Sequence, residues 1–135
     1  MDIPIVVVNR IGKLRRQTVK NLEEYQFSKI KQAVNIETAE DVVRMENEEL
    51  IVIFELTSEG ISFEEERFLM RLMIEHNGEG VSVIVISRIA SRNLINQLIK
   101  LHVKDFVLRR NNESLFINRL IKAIEKCALV PLQCF

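Results

Sequence analysis

Short apolar runs alternate along this chain with stretches whose apolar residues keep a helical spacing. The runs lie at residues 3–8, 30–34, 50–56, 81–86 and 106–108. The first, third and fourth are continuous and rich in Val and Ile, as strands buried on both faces of a parallel sheet are. The second and fifth are shorter and weaker, as edge strands often are. Between the runs, Ile11, Leu14, Thr18 and Leu22 share one face of a first helix. Ala39, Val42 and Val43 predict a short second helix, with Thr38 as its cap. Residues 63–74 predict a third, with Leu69 and Met73 inward and Arg67, Arg71 and Glu75 outward, closed by Asn77-Gly78-Glu79-Gly80. Leu94, Leu98 and Leu101 define a fourth, and Phe116, Leu120, Ala123 and Cys127 a fifth.

Strands alternating with helices imply right-handed crossovers and a parallel sheet covered on both sides. The expected fold is α/β: a flavodoxin-like three-layer α/β/α sandwich with a five-stranded parallel sheet in the order 2-1-3-4-5. Two helices should cover one face and three the other. One domain is expected over residues 1–127, with 128–135 as a C-terminal tail.

Composition narrows the function. Of 135 residues, 47% are hydrophobic and 28% charged, which suits one soluble domain. The 19 basic and 19 acidic residues cancel, which argues against a nonspecific nucleic-acid binder. The charge is nevertheless segregated. Residues 35–66 hold eleven acids against one base, and residues 88–126 hold nine bases against three acids. Such a chain can present two opposite faces to partners. No apolar run approaches the roughly 20 residues of a membrane helix, and the N-terminal run lacks a basic leader. A cytoplasmic protein is expected, with no direct nucleic-acid or membrane contact. Cys127 and Cys134 form no disulfide framework or metal spacing, and His76 and His102 are isolated. Glu64, Glu65 and Glu66 suit the opening turn of a helix. The four glycines make no phosphate-binding fingerprint.

In a doubly wound sheet, ligands bind at the carboxyl ends of the strands. Those positions are Asn9-Arg10, Glu55, Ser87 and Arg109, and all five side chains are expected to point into one shallow cleft. With FSKIKQAVNIETAEDVVR (27–44), VSVIVIS (81–87) and VKDFVLRRNNESLFINRLIKAIEK (103–126), they carry a resemblance to the receiver domain of two-component response regulators, over essentially the whole chain to Lys126. In that family an acidic pair follows the first strand, a phosphoacceptor aspartate the third, Ser or Thr the fourth, and lysine-proline the fifth. Phe106 stands where an aromatic switch residue usually lies. Asn9-Arg10 replaces the acidic pair, Glu55 the aspartate, Arg109 the lysine and Arg110 the proline; Ser87 alone keeps the family's residue type. The loop LTSEG after the third strand is shorter than the family's and lacks its proline.

These departures carry chemical consequences. Magnesium needs carboxylate oxygens, whereas Asn9 offers one neutral oxygen and Arg10 repels the ion. Phosphoryl transfer depends on metal and lysine clamps. Neither a cofactor nor a metal is expected, and phosphorylation should be weak or absent. Arg10 and Arg109 are expected to flank Glu55 as cationic forks. Three readings of that cluster stand open: a remnant ion-pair group, a fixed active-like state, or a cleft for a small anionic ligand. The fourth helix adds Ile95 and Ile99 beside its core face, rimmed by Arg88, Arg92 and Lys100, which suits a protein interface. The resemblance implies that the face formed by the fourth helix, fifth strand and fifth helix meets a protein partner or a second copy. A non-enzymatic signalling module is the main expectation, with a still-phosphorylatable regulator and an anion sensor as alternatives.

Overall fold

The computed structural model describes residues 3–76, 80–109 and 111–133. Its strands are β1 (Ile5–Val8), β2 (Ile30–Ala33), β3 (Leu50–Glu55), β4 (Val81–Ser87) and β5 (Asp105–Leu108). The helices alternate with them: α1 (Gly12–Glu24), α2 (Ile36–Met45), α3 (Phe63–His76), α4 (Arg92–Lys100) and α5 (Glu113–Gln133). All strand pairs are parallel, in the order β2-β1-β3-β4-β5. The expected α/β sandwich, its strand order and its central strands are therefore correct.

Side-chain alternation splits the core into two layers. Ile5, Val7, Ile51, Ile53, Ile84, Ile86 and Val107 pack with Val19 and Leu22 of α1 and Phe116, Leu120 and Ile124 of α5. Val6, Val8, Val52, Phe54, Val83 and Val85 pack with Ala39 of α2, Phe68 and Leu72 of α3, and Leu94 and Leu98 of α4. Two helices thus cover one face and three the other. Each large buried side chain removes roughly 1.5–3 kcal/mol worth of apolar surface from water. That contribution is concentrated in β1, β3 and β4, whose every residue from Ile5 to Val8 and from Leu50 to Glu55 is buried.

Three local expectations are corrected. The cap of α2 is Asn35, whose side chain accepts from the Thr38 amide at 2.8 Å. Asparagine sits one turn earlier than Thr38 and already has the extended backbone a cap requires. At α3, Leu69 is buried but Met73 is only half-buried, and Phe68 and Leu72 complete the inner face. Residues 128–133 do not lie past the last helix; α5 continues to Gln133. The turn at residues 77–79 lies outside the described residues, as does Arg110. Among the described residues, no helix is long and apolar enough to cross a membrane.

Candidate functional site

Beyond the carboxyl ends of the strands, the alternation that builds the core continues. Asn9 follows the parity of Ile5 and Val7, Glu55 that of Ile51 and Ile53, and Arg109 that of Val107. All three turn toward the α1/α5 layer, where they bond to one another. Arg109 grips Glu55 bidentately, Nε donating to Oε2 and Nη2 to Oε1, both at 2.7 Å. Asn9 Nδ2 donates to Oε1 at 2.8 Å. Glu55 is 6% exposed, so its charge is compensated by three donors and not by water.

The elements behind these groups hold them in place. Arg109 Nη2 also donates to Thr18 Oγ1 at 3.1 Å, and that hydroxyl donates in turn to the Leu14 carbonyl of α1 at 3.0 Å. The guanidinium carbon lies 4.4 Å from the centre of the Phe116 ring of α5, a cation–π distance. Asn9 Oδ1 accepts from the Ile11 amide at 2.9 Å, and Arg15 Nη1 donates to the Asn9 carbonyl at 2.7 Å. The network therefore ties β1, β3, β5, α1 and α5 together. Nothing local in the sequence links Thr18, Arg15 or Phe116 to the strand ends, so their part in this network was not foreseen.

Arg10 and Ser87 depart from expectation. Arg10 has the parity of Val6 and Val8, is exposed, and has no bond to Glu55; it lines a groove of about 130 Å³ on the α2/α3 side. Glu64, Glu65, Asn35, Thr57 and Ser62 line the same groove, and Arg109 does not. The two arginines thus form no joint cationic cleft. Ser87 has the parity of Val83 and Val85. Its hydroxyl donates to the Ile89 carbonyl at 2.9 Å and accepts the Ile89 amide at 3.2 Å, so it shapes the β4–α4 loop. Phe106, also on that layer, is half-buried against the α2–α4 core.

Magnesium does not suit this donor set. Both Glu55 oxygens accept from a guanidinium, Asn9 Oδ1 is engaged by the backbone, and the adjacent side chain is Arg10. Among the described residues no cluster of His, Cys, Asp and Glu could hold a metal ion.

Glu65 is a second buried carboxylate. It accepts from the Ser62 amide at 2.8 Å and the Thr57 amide at 3.1 Å, while Ser62 Oγ accepts the Glu65 amide at 3.2 Å. This is a capping box whose acid also pins the loop after β3. The Ser-x-x-Glu spacing announced it; reading the three glutamates only as dipole partners missed it. On α4, Leu94 and Leu98 are buried while Ile95 and Ile99 are 38% and 66% exposed, with Arg92 exposed one turn before Ile95.

A five-stranded parallel sheet in the order 2-1-3-4-5 between two helix layers is the flavodoxin-like arrangement, which receiver domains share. Solved structures share this fold. A receiver domain of Methanospirillum hungatei superposes with a TM-score of 0.71 at 15% identity, covering 93% of each chain. Chemotaxis protein CheY4 of Vibrio cholerae gives 0.76 at 9% identity, over 93% of this chain and 98% of that one. The N-terminal domain of an uncharacterized protein of Wolinella succinogenes gives 0.72 at 18% identity, with full coverage of both. No protein-family model and no curated protein matches the sequence.

Proposed function

We propose that this chain is an atypical receiver domain of two-component signalling that works by docking a protein, with little or no phosphoryl transfer. One observation carries the reading: the position of the phosphoacceptor is filled by a buried glutamate whose two oxygens are both held by Arg109. An acceptor carboxylate must be free to attack and must share its charge with a metal. Glu55 is instead neutralised within the protein, and the charge arrangement at the strand ends is permanent. The domain is non-enzymatic and cytoplasmic in this reading. Its output surface is α4 with β5 and α5, where Ile95 and Ile99 stand among Arg88, Arg92 and Lys100. Phe106 of β5, half-buried against the α2–α4 core, is the link between cleft and surface in this reading. The test is intact mass spectrometry after incubation with acetyl phosphate and magnesium. No added phosphate is expected, and the melting temperature should not move with magnesium, since a ligand raises stability only where it binds the native state. Stoichiometric phosphate on Glu55, labile in base, would overturn the reading.

A further inference from the structure

We infer that the partner of the α4 surface is the α3 face of a second copy of this chain. The inference rests on the reading of α4 as a docking surface and names what docks there.

Two apolar stripes face solvent on α3 and α4, helices of one and the same layer. On α3, Phe63, Met70 and Ile74 follow one another at the spacing of a single helix face, directly opposite buried Phe68 and Leu72. They are 72%, 40% and 66% exposed, although side chains of this size ordinarily lie inside. On α4 the stripe is Ile95 and Ile99.

Their surroundings carry opposite charge. From 80 to 104 the sequence has four bases, Arg88, Arg92, Lys100 and Lys104, and no acid. From 36 to 76, with buried Glu55 and Glu65 set aside, it has ten acids against three bases. Those bases are already engaged within the face, and Glu48 and Glu46 pair at its edge with Lys29 and Lys31. Arg71 pairs with Glu40 at 2.9 Å, Arg44 pairs with Asp41, and Arg67 lies 5.6 Å above the Phe63 ring. An α4–α4 contact would set four bases of one copy against four of the other, and an α3–α3 contact would set acid against acid. The α4–α3 contact satisfies both stripes and both charges.

Because α3 and α4 share one layer, the contact can be made twice about a two-fold axis and close as a dimer; made once, it leaves a free α3 face and a free α4 face and growth continues. Sedimentation velocity on the full chain tests this over a wide concentration range. The average mass should rise from the 15.7 kDa monomer to at least twice that value. Association should weaken between about 0.05 M and about 1 M salt, as the screening length falls to roughly 3 Å. Ile74→Glu and Ile99→Glu sit at exposed positions, and circular dichroism checks their folding. Each alone should stay monomeric, with association weakened at least about tenfold. Mixed in equal amounts they should form a one-to-one dimer and nothing larger, because the intact α4 of one meets the intact α3 of the other. A monomeric parent, or a mixture that stays monomeric, would overturn the inference. Association lost in Ile99→Glu but unchanged in Ile74→Glu would also overturn it, while leaving α4 as a docking surface. Phosphate on Glu55 would strike the proposed function alone.

Discussion

Replacing Glu55 by glutamine keeps the shape of the side chain and removes its charge. In the parent, Glu55 accepts three hydrogen bonds, two from Arg109 and one from Asn9, at 2.7–2.8 Å. Glutamine retains one oxygen, so one donor of the network must face an N–H group. Arg109, whose side chain is 11% exposed, is left charged with half its acceptor. A lost hydrogen bond to a charged group costs about 1.5–3 kcal/mol. Breaking a buried ion pair outright costs about 3–5 kcal/mol. Glutamine preserves part of the contact, which places Glu55→Gln at about 2–4 kcal/mol. Urea unfolding followed by circular dichroism measures it: the midpoint should fall with little change of slope. Glu55→Gln/Arg109→Gln should cost less than the sum of its single changes by about 1.5 kcal/mol, because the second change removes the stranded charge. If the network also sets the α4 surface, amide resonances of residues 92–100 should shift in Glu55→Gln. A Glu55→Gln protein within about 0.5 kcal/mol of the parent, with single changes that simply add, would refute the reasoning.

Other measurements probe the groups around the site. Ser62→Ala should cost about 1 kcal/mol through the lost cap of α3, and Glu65→Gln about 2 kcal/mol, because the buried acid also holds Thr57; equal unfolding midpoints for parent and both variants would show the loop after β3 to be held by something else. Burial pushes the Cys127 thiol above its ordinary range, partly offset by its hydrogen bond with Ser82. In a Cys134→Ser background, Cys127 should therefore resist thiol reagents at neutral pH while folded and react once unfolded. The unfolded thiol ionises first, so relative to Cys127→Ala stability should be steady below about pH 8.5 and decline above it; a difference independent of pH would count against the shift.

Much of this protein was determined by sequence alone. Runs rich in Val and Ile at residues 5–8, 50–54 and 81–86 have no sheltered place except the middle of a parallel sheet, and helical spacing between them dictates crossovers. Strand order and the strand-end positions of Asn9, Glu55, Ser87 and Arg109 followed. So, in principle, did their directions. A period of two sends residues 9, 55 and 109 one way and 10 and 87 the other, and the expectation of a single shared cleft overlooked that alternation. Other features needed the third dimension. Thr18, Arg15 and Phe116 reach the Glu55 network only because α1 and α5 pack side by side on one layer, a contact between residues as far apart as Thr18 and Arg109. Local periodicity reports which side of an element is apolar. It does not report which distant polar group will be left facing a buried charge, and that pairing is settled only when the layers close.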